Sequence, residues 1–178
     1  LVPGTASSST IASTFVAQRT NLLIGTYLSL LGVFFLVCFL GYLKLFLQQA
    51  AGESSWLVTV AFGGGLVACA MLLLAAHFSQ AFTVLPTYSE ETQVAKALYV
   101  LEWNSYLLVE APALAALVMA TAAIGFTRKV LPWWLTAWGG LLTFILLSPV
   151  LPGSGVTLTF LWLGVLSIWL LRRSEKLS

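Results

Sequence analysis

The chain has 178 residues and a net charge of +2; 60% of it is apolar and only 8% is charged. Soluble domains hold roughly 45–50% apolar and about 25% charged residues. Eight basic and six acidic side chains are too few to cover a water-facing surface, so lipid must be the solvent for most of the outside. So small a basic excess, with no basic run interleaved with aromatics, excludes a nucleic-acid-binding module.

Residues 1–20 are rich in Ser, Thr and Ala and read as a polar tail, with a short surface helix possible only around residues 11–17. They contain no apolar core of the signal-peptide type. The chain begins at Leu1 rather than Met, so residues missing or removed ahead of it are expected.

A spanning helix needs about 20 apolar residues, because each residue rises ~1.5 Å through ~30 Å of hydrocarbon. Residues 21–47 supply the first span, interrupted only by Lys44, whose stem can carry the ammonium to the headgroups. A polar turn follows, then a second span at 56–83 and a loop holding Pro86, Glu90 and Glu91. The third helix is predicted over 92–127, longer than a bilayer requires, and Arg128 and Lys129 close it. Pro132 is placed in the first turn of a fourth span at 133–150, where a missing N–H costs nothing. Pro152, Gly153, Ser154 and Gly155 read as a tight turn before a short fifth span at 156–171, followed by a tail at 174–178. These runs are too long, and too little alternating, for barrel strands. The expected fold is therefore all-α: a single transmembrane domain over 21–173, with about five helices.

Five spans place Lys44, Arg128, Lys129, Arg172, Arg173 and Lys176 on one side, and Arg19 and Lys96 on the other. The excess of Lys and Arg marks the first side as cytoplasmic, with the N-terminus outside and the C-terminus inside. Trp56, Trp133, Trp134, Trp138 and Trp169 fall near the same side, as an interfacial aromatic belt does.

Several residues are out of place in lipid or suited to close packing. Gly63, Gly64 and Gly65, with Ala70, are expected to let helix 2 approach a neighbour. A phosphate loop would need a preceding strand and a following Lys, and neither is present. Gly63, Ala70 and His77 are seven residues apart and share one helix face, so an inward Gly63 turns His77 inward. Gln80 follows one turn on. Helix 3 offers Glu102, Tyr106 and Glu110 on one stripe with Tyr99, and Tyr27 of helix 1 lies at comparable height. Pro112 removes a backbone donor just past Glu110. The outer half of the bundle is thus expected to hold a polar cluster of Tyr27, His77, Gln80, Glu102, Tyr106 and Glu110. An ionisable residue at membrane depth costs roughly 2.5–3.5 kcal/mol on insertion scales and marks a functional site by default.

No cofactor is required by these residues. One histidine is too few for a bis-histidine haem, and no spacing marks a metal site. His77 could serve as a single axial ligand to a haem or a chlorophyll-type pigment, with Met71 as a second-ligand candidate. Ser79 and Ser105 lie near the cluster, but nothing marks either as an activated nucleophile, so the residues lean away from an enzyme without deciding it. Cys38 and Cys69 read as small core residues rather than a disulfide.

Three stretches carry a family resemblance: Leu98 and Tyr99 with Glu102 and Trp103; Val130 to Leu135 with Trp138 and Gly139; and Leu170 to Arg173. In these the chain resembles a group of small bacterial multi-span proteins classed only as a domain of unknown function. That family commonly shows six spans where this chain shows five. The resemblance implies a bacterial inner-membrane setting and supplies no activity. Three roles are expected in turn: an accessory or interaction subunit of a membrane complex, binding other subunits or itself; a small carrier, sensor or ligand-binding bundle working through the polar cluster; and a pigment- or haem-bearing subunit.

Overall fold

A computed structural model describes residues 19–52, 55–84, 109–148 and 152–174. Its elements are five helices: α1 (Arg19–Ala51), α2 (Trp56–Val84), α3 (Ala111–Arg128), α4 (Trp133–Leu147) and α5 (Pro152–Ser174). No strand occurs among the described residues. Four of the five, all but α4, are long and apolar enough to cross a membrane. With 15 residues, α4 is ~22 Å long, short of the ~30 Å core. Many large apolar side chains are left on the outside, among them Phe34, Phe35, Phe126 and Phe144. This is a helical membrane protein.

Each helix packs against the next in sequence, and α3 also touches α1 and α5. That makes α3 the centre of the bundle: 61% of its most apolar window is buried, against 17% for α1. Composition explains its place. Ala111, Ala113, Ala115, Ala120 and Ala122 are all buried, and small side chains let four neighbours approach one helix.

At Gly64 of α2 the neighbouring backbone comes close. A Cβ there would lie 2.7 Å from the Ala113 carbonyl oxygen and 3.0 Å from the Leu117 nitrogen, so α2 and α3 meet backbone to backbone. Gly65 receives the Leu40 side chain from α1, and Gly139 of α4 seats against Ala122 and Trp162. Trp162 is fully buried and donates its indole N–H to the Leu135 carbonyl at 2.9 Å, which ties α5 to α4. Thr121, Thr136, Thr143 and Thr159 are buried, and each donates its hydroxyl to a carbonyl three or four residues back in its own helix. Without water, an internal acceptor is what makes these hydroxyls tolerable.

Several sequence expectations are corrected. Gly63 has nothing within 4 Å of a modest side chain, and Ala70 and His77 are exposed. The buried stripe of α2 is instead Val58, Ala61, Gly65, Ala68, Cys69 and Ala76. Lipid rewards no particular apolar face, so size chose: Leu66, Val67, Leu73 and Leu74 face out, and His77 goes with them. Cys38 is exposed, not core; Cys69 is buried. Pro152 to Gly155 form the first turn of α5, because proline's fixed φ suits a helix start and Gly155 packs against Ile145 and Leu146. Pro132 is the N-cap of α4, one residue ahead of the expected place, and its carbonyl accepts from the N–H groups of Leu135 and Thr136. The α1 helix starts at Arg19, inside the stretch read as tail.

The antiparallel succession gathers Lys44, Arg128 and Arg173 at one end. Arg128 donates to the Ala51 carbonyl at the end of α1 (3.4 Å), and Arg173 donates to the Val130 carbonyl between α3 and α4 (2.6 Å). Lys44 lies 4.7 Å over the Phe62 ring.

Candidate functional site

The site is built on the interior stripe of α3. Glu110, Leu114, Leu117, Val118 and Thr121 recur at helical spacing, and all are buried. Glu110 is therefore aimed where its neighbours are aimed, into the centre of the bundle. It is 1% exposed, and its Oε1 is buried without a hydrogen-bond partner among the described residues.

The local backbone is unusual at this residue. Val109 and Glu110 form a π-helical turn that leads into α3, and Pro112 occupies the first turn. Proline has no N–H to return to the carbonyl four residues earlier. A widened turn is one of the ways a helix absorbs that loss, and such turns occur often at functional sites. Glu110 stands at the start of α3 and makes no side-chain capping bond.

Its position along the bundle follows from helix length. Eighteen residues of α3 separate it from the basic end, a rise of ~27 Å. Glu110 thus lies far from Arg128, which points the other way toward Ala51. An ionised carboxylate in such a place needs a proton, a cation or a donor from a ligand to offset its lost hydration.

The six residues expected to form the polar cluster fare differently. Glu110 is buried. Tyr27 is 64% exposed on the outside of α1, and His77 is exposed on the outside of α2, so neither joins Glu110 in the interior. The expected inward His77 is corrected by the choice of packing face in α2. Glu102, Tyr106 and the side chain of Gln80 lie outside the described residues. Among the described residues, no three His, Cys, Asp or Glu side chains are grouped to hold a metal ion.

The sequence reading passed over Thr26. It is buried, and its Oγ1 has no partner among the described residues, unlike the four buried threonines that bond back to their own helices. A threonine in an apolar run gives no sign of which kind it is. No protein-family model matches the chain, and neither does any curated protein or solved structure.

Proposed function

We propose that this protein is a small carrier, sensor or ligand-binding bundle whose operative group is Glu110. One observation carries the reading: a carboxyl buried on the interior stripe of the central helix, with an oxygen that nothing among the described residues satisfies. Buried unsatisfied groups are costly and rare in native structures. A carboxyl kept there at a cost is suited to hold a proton or a cationic ligand. The working site is narrower than the cluster expected from sequence, because His77 and Tyr27 face outward.

The test is chemical modification in proteoliposomes. Dicyclohexylcarbodiimide, which partitions into lipid, should add to Glu110, as located by mass spectrometry of peptides. A water-soluble carbodiimide should not, and Glu110→Gln should remove the adduct. Equal labelling by both reagents would mean that Glu110 is bathed in water, and the reading would fall.

A second reading, an accessory or interaction subunit, draws on α1. This helix is the least buried of the spans, and Gly25, Gly32 and Gly41 have open space beside them. Native mass after gentle extraction separates the two readings: different co-purifying polypeptides favour the subunit, a single species the binding bundle. For either role, the gathered cations support a cytoplasmic basic end and C-terminus. The family resemblance supports the bacterial inner membrane as the setting. Maleimide labelling of Lys129→Cys only from the cytoplasmic face is the expected outcome.

A further inference from the structure

A groove of about 450 Å³ runs between α1 and α5. Its walls are Val33, Leu36 and Phe39 on one side and Phe160 and Leu163 on the other, with Leu72 contributed by α2. The volume is in the range of small-molecule sites, ~300–1,000 Å³. Gly32 and Gly164 line it, and a Cβ on either would meet nothing within 4 Å. These two glycines therefore hold space open rather than bring helices together.

Toward the basic end, the same seam between α1 and α5 closes. Phe46 and Trp169 meet edge to face with ring centroids 6.4 Å apart. The Arg173 guanidinium lies 5.7 Å from the Phe46 centroid and 5.3 Å from that of Trp169, and the Val130 carbonyl steadies it. Arg172 is exposed beside it. A guanidinium has five N–H donors, so one bond to a carbonyl leaves others for an anion. Charge at this end is unbalanced in sequence: six cations, Lys44, Arg128, Lys129, Arg172, Arg173 and Lys176, against Glu53 and Glu175.

We propose that this seam binds one phospholipid with an anionic headgroup, its phosphate at Arg172 and Arg173 and an acyl chain in the groove. Length agrees with this. Six residues of α5 separate Arg173 from Ser167 at the near edge of the groove, ~9 Å of rise. One leaflet's chains reach about half of the ~30 Å core, so the chain passes Phe46 and Trp169 and enters the groove. The occupant is chosen by complementarity: an apolar channel at lipid depth and a held guanidinium at headgroup height. Basic pockets between transmembrane helices at the membrane surface are suited to anionic headgroups. The proposal is independent of Glu110, and neither stands or falls with the other.

Native mass spectrometry of the full chain, released from micelles carrying phosphatidylglycerol or phosphatidylcholine of identical acyl chains, tests it. One phosphatidylglycerol per chain should be retained in preference to phosphatidylcholine. Arg172→Gln should weaken retention of phosphatidylglycerol about fivefold and leave phosphatidylcholine unchanged. Gly164→Leu, which fills the groove, should reduce retention of both lipids, whereas Gly164→Ala should have little effect. Thermal melting of each variant shows whether it is folded; should Gly164→Leu not fold, the Arg172→Gln comparison decides alone. Equal retention of the two lipids by the wild-type protein, or unchanged phosphatidylglycerol retention in Arg172→Gln, would overturn the proposal. A dimer that Gly164→Leu dissolves, with lipid retention unaltered, would assign the groove to a second copy and overturn it as well.

Discussion

Replacing Glu110 by leucine should make the protein more stable. The side chain is 1% exposed, with Oε1 unpaired, and it shares its stripe with Leu114 and Leu117. Leaving a buried polar group unsatisfied costs about 1–3 kcal/mol, more for a charged one. Exchanging a buried ionic group for an apolar one of similar volume is often neutral or favourable by about 1–4 kcal/mol. Leucine is close to glutamate in length and has no polar atom to satisfy, so a gain of about 1–3 kcal/mol is expected. For a chain of this size that corresponds to a Tm higher by roughly 2–12 °C. Glu110→Gln should gain less, because the amide keeps polar atoms in the same place. Seven tryptophans make intrinsic fluorescence in detergent micelles a direct readout of unfolding. A loss of more than about 1 kcal/mol in Glu110→Leu would refute the reasoning, since it would mean that the carboxyl has a stabilising partner.

Three further outcomes follow from the packing. Gly64→Ala should destabilise by about 1–3 kcal/mol, because its methyl would press on the α3 backbone, whereas Gly63→Ala should be neutral or gain up to about 1 kcal/mol in helix propensity; the pair of melting curves tests the assigned face. Lys129 ends α3 at φ 54°, ψ 31°, a left-handed conformation, so Lys129→Gly should raise stability by about 0.5–1 kcal/mol and Lys129→Val should lower it, read by the same melting assay. Trp162→Phe should lose about 1–3 kcal/mol, through the lost bond to the Leu135 carbonyl and the space left beside Gly139, and a single-site melting comparison measures it.

The places where sequence reasoning reached the structure, and where it stopped, have a common cause. Length and hydropathy count residues along the chain, and a bilayer of fixed thickness sets that count. Helices at 21–47 and 56–83 were therefore legible, and so was the gathering of Lys44, Arg128 and Arg173 at one end, because successive spans must alternate in direction. The expected turn at Pro152 was misplaced because proline and glycine favour both turns and helix starts, and only the contact of Gly155 with Ile145 and Leu146 distinguishes them.

Rotation of each helix about its axis was decided by tertiary structure alone. In water an apolar stripe would have announced the inward face. In lipid both faces of α2 are apolar, so hydropathy is silent, and the decision passes to shape. Gly64 and Gly65 could be read as packing residues by type, but the choice of those two over Gly63 needed Ala113 and Leu40 in place. That single choice of face carried His77 outward. For Glu110, sequence determined that a carboxyl lies within an apolar run beside Pro112. Its burial and its unpaired oxygen came from α3 taking the central position, where Glu110 shares a stripe with Leu114 and Leu117.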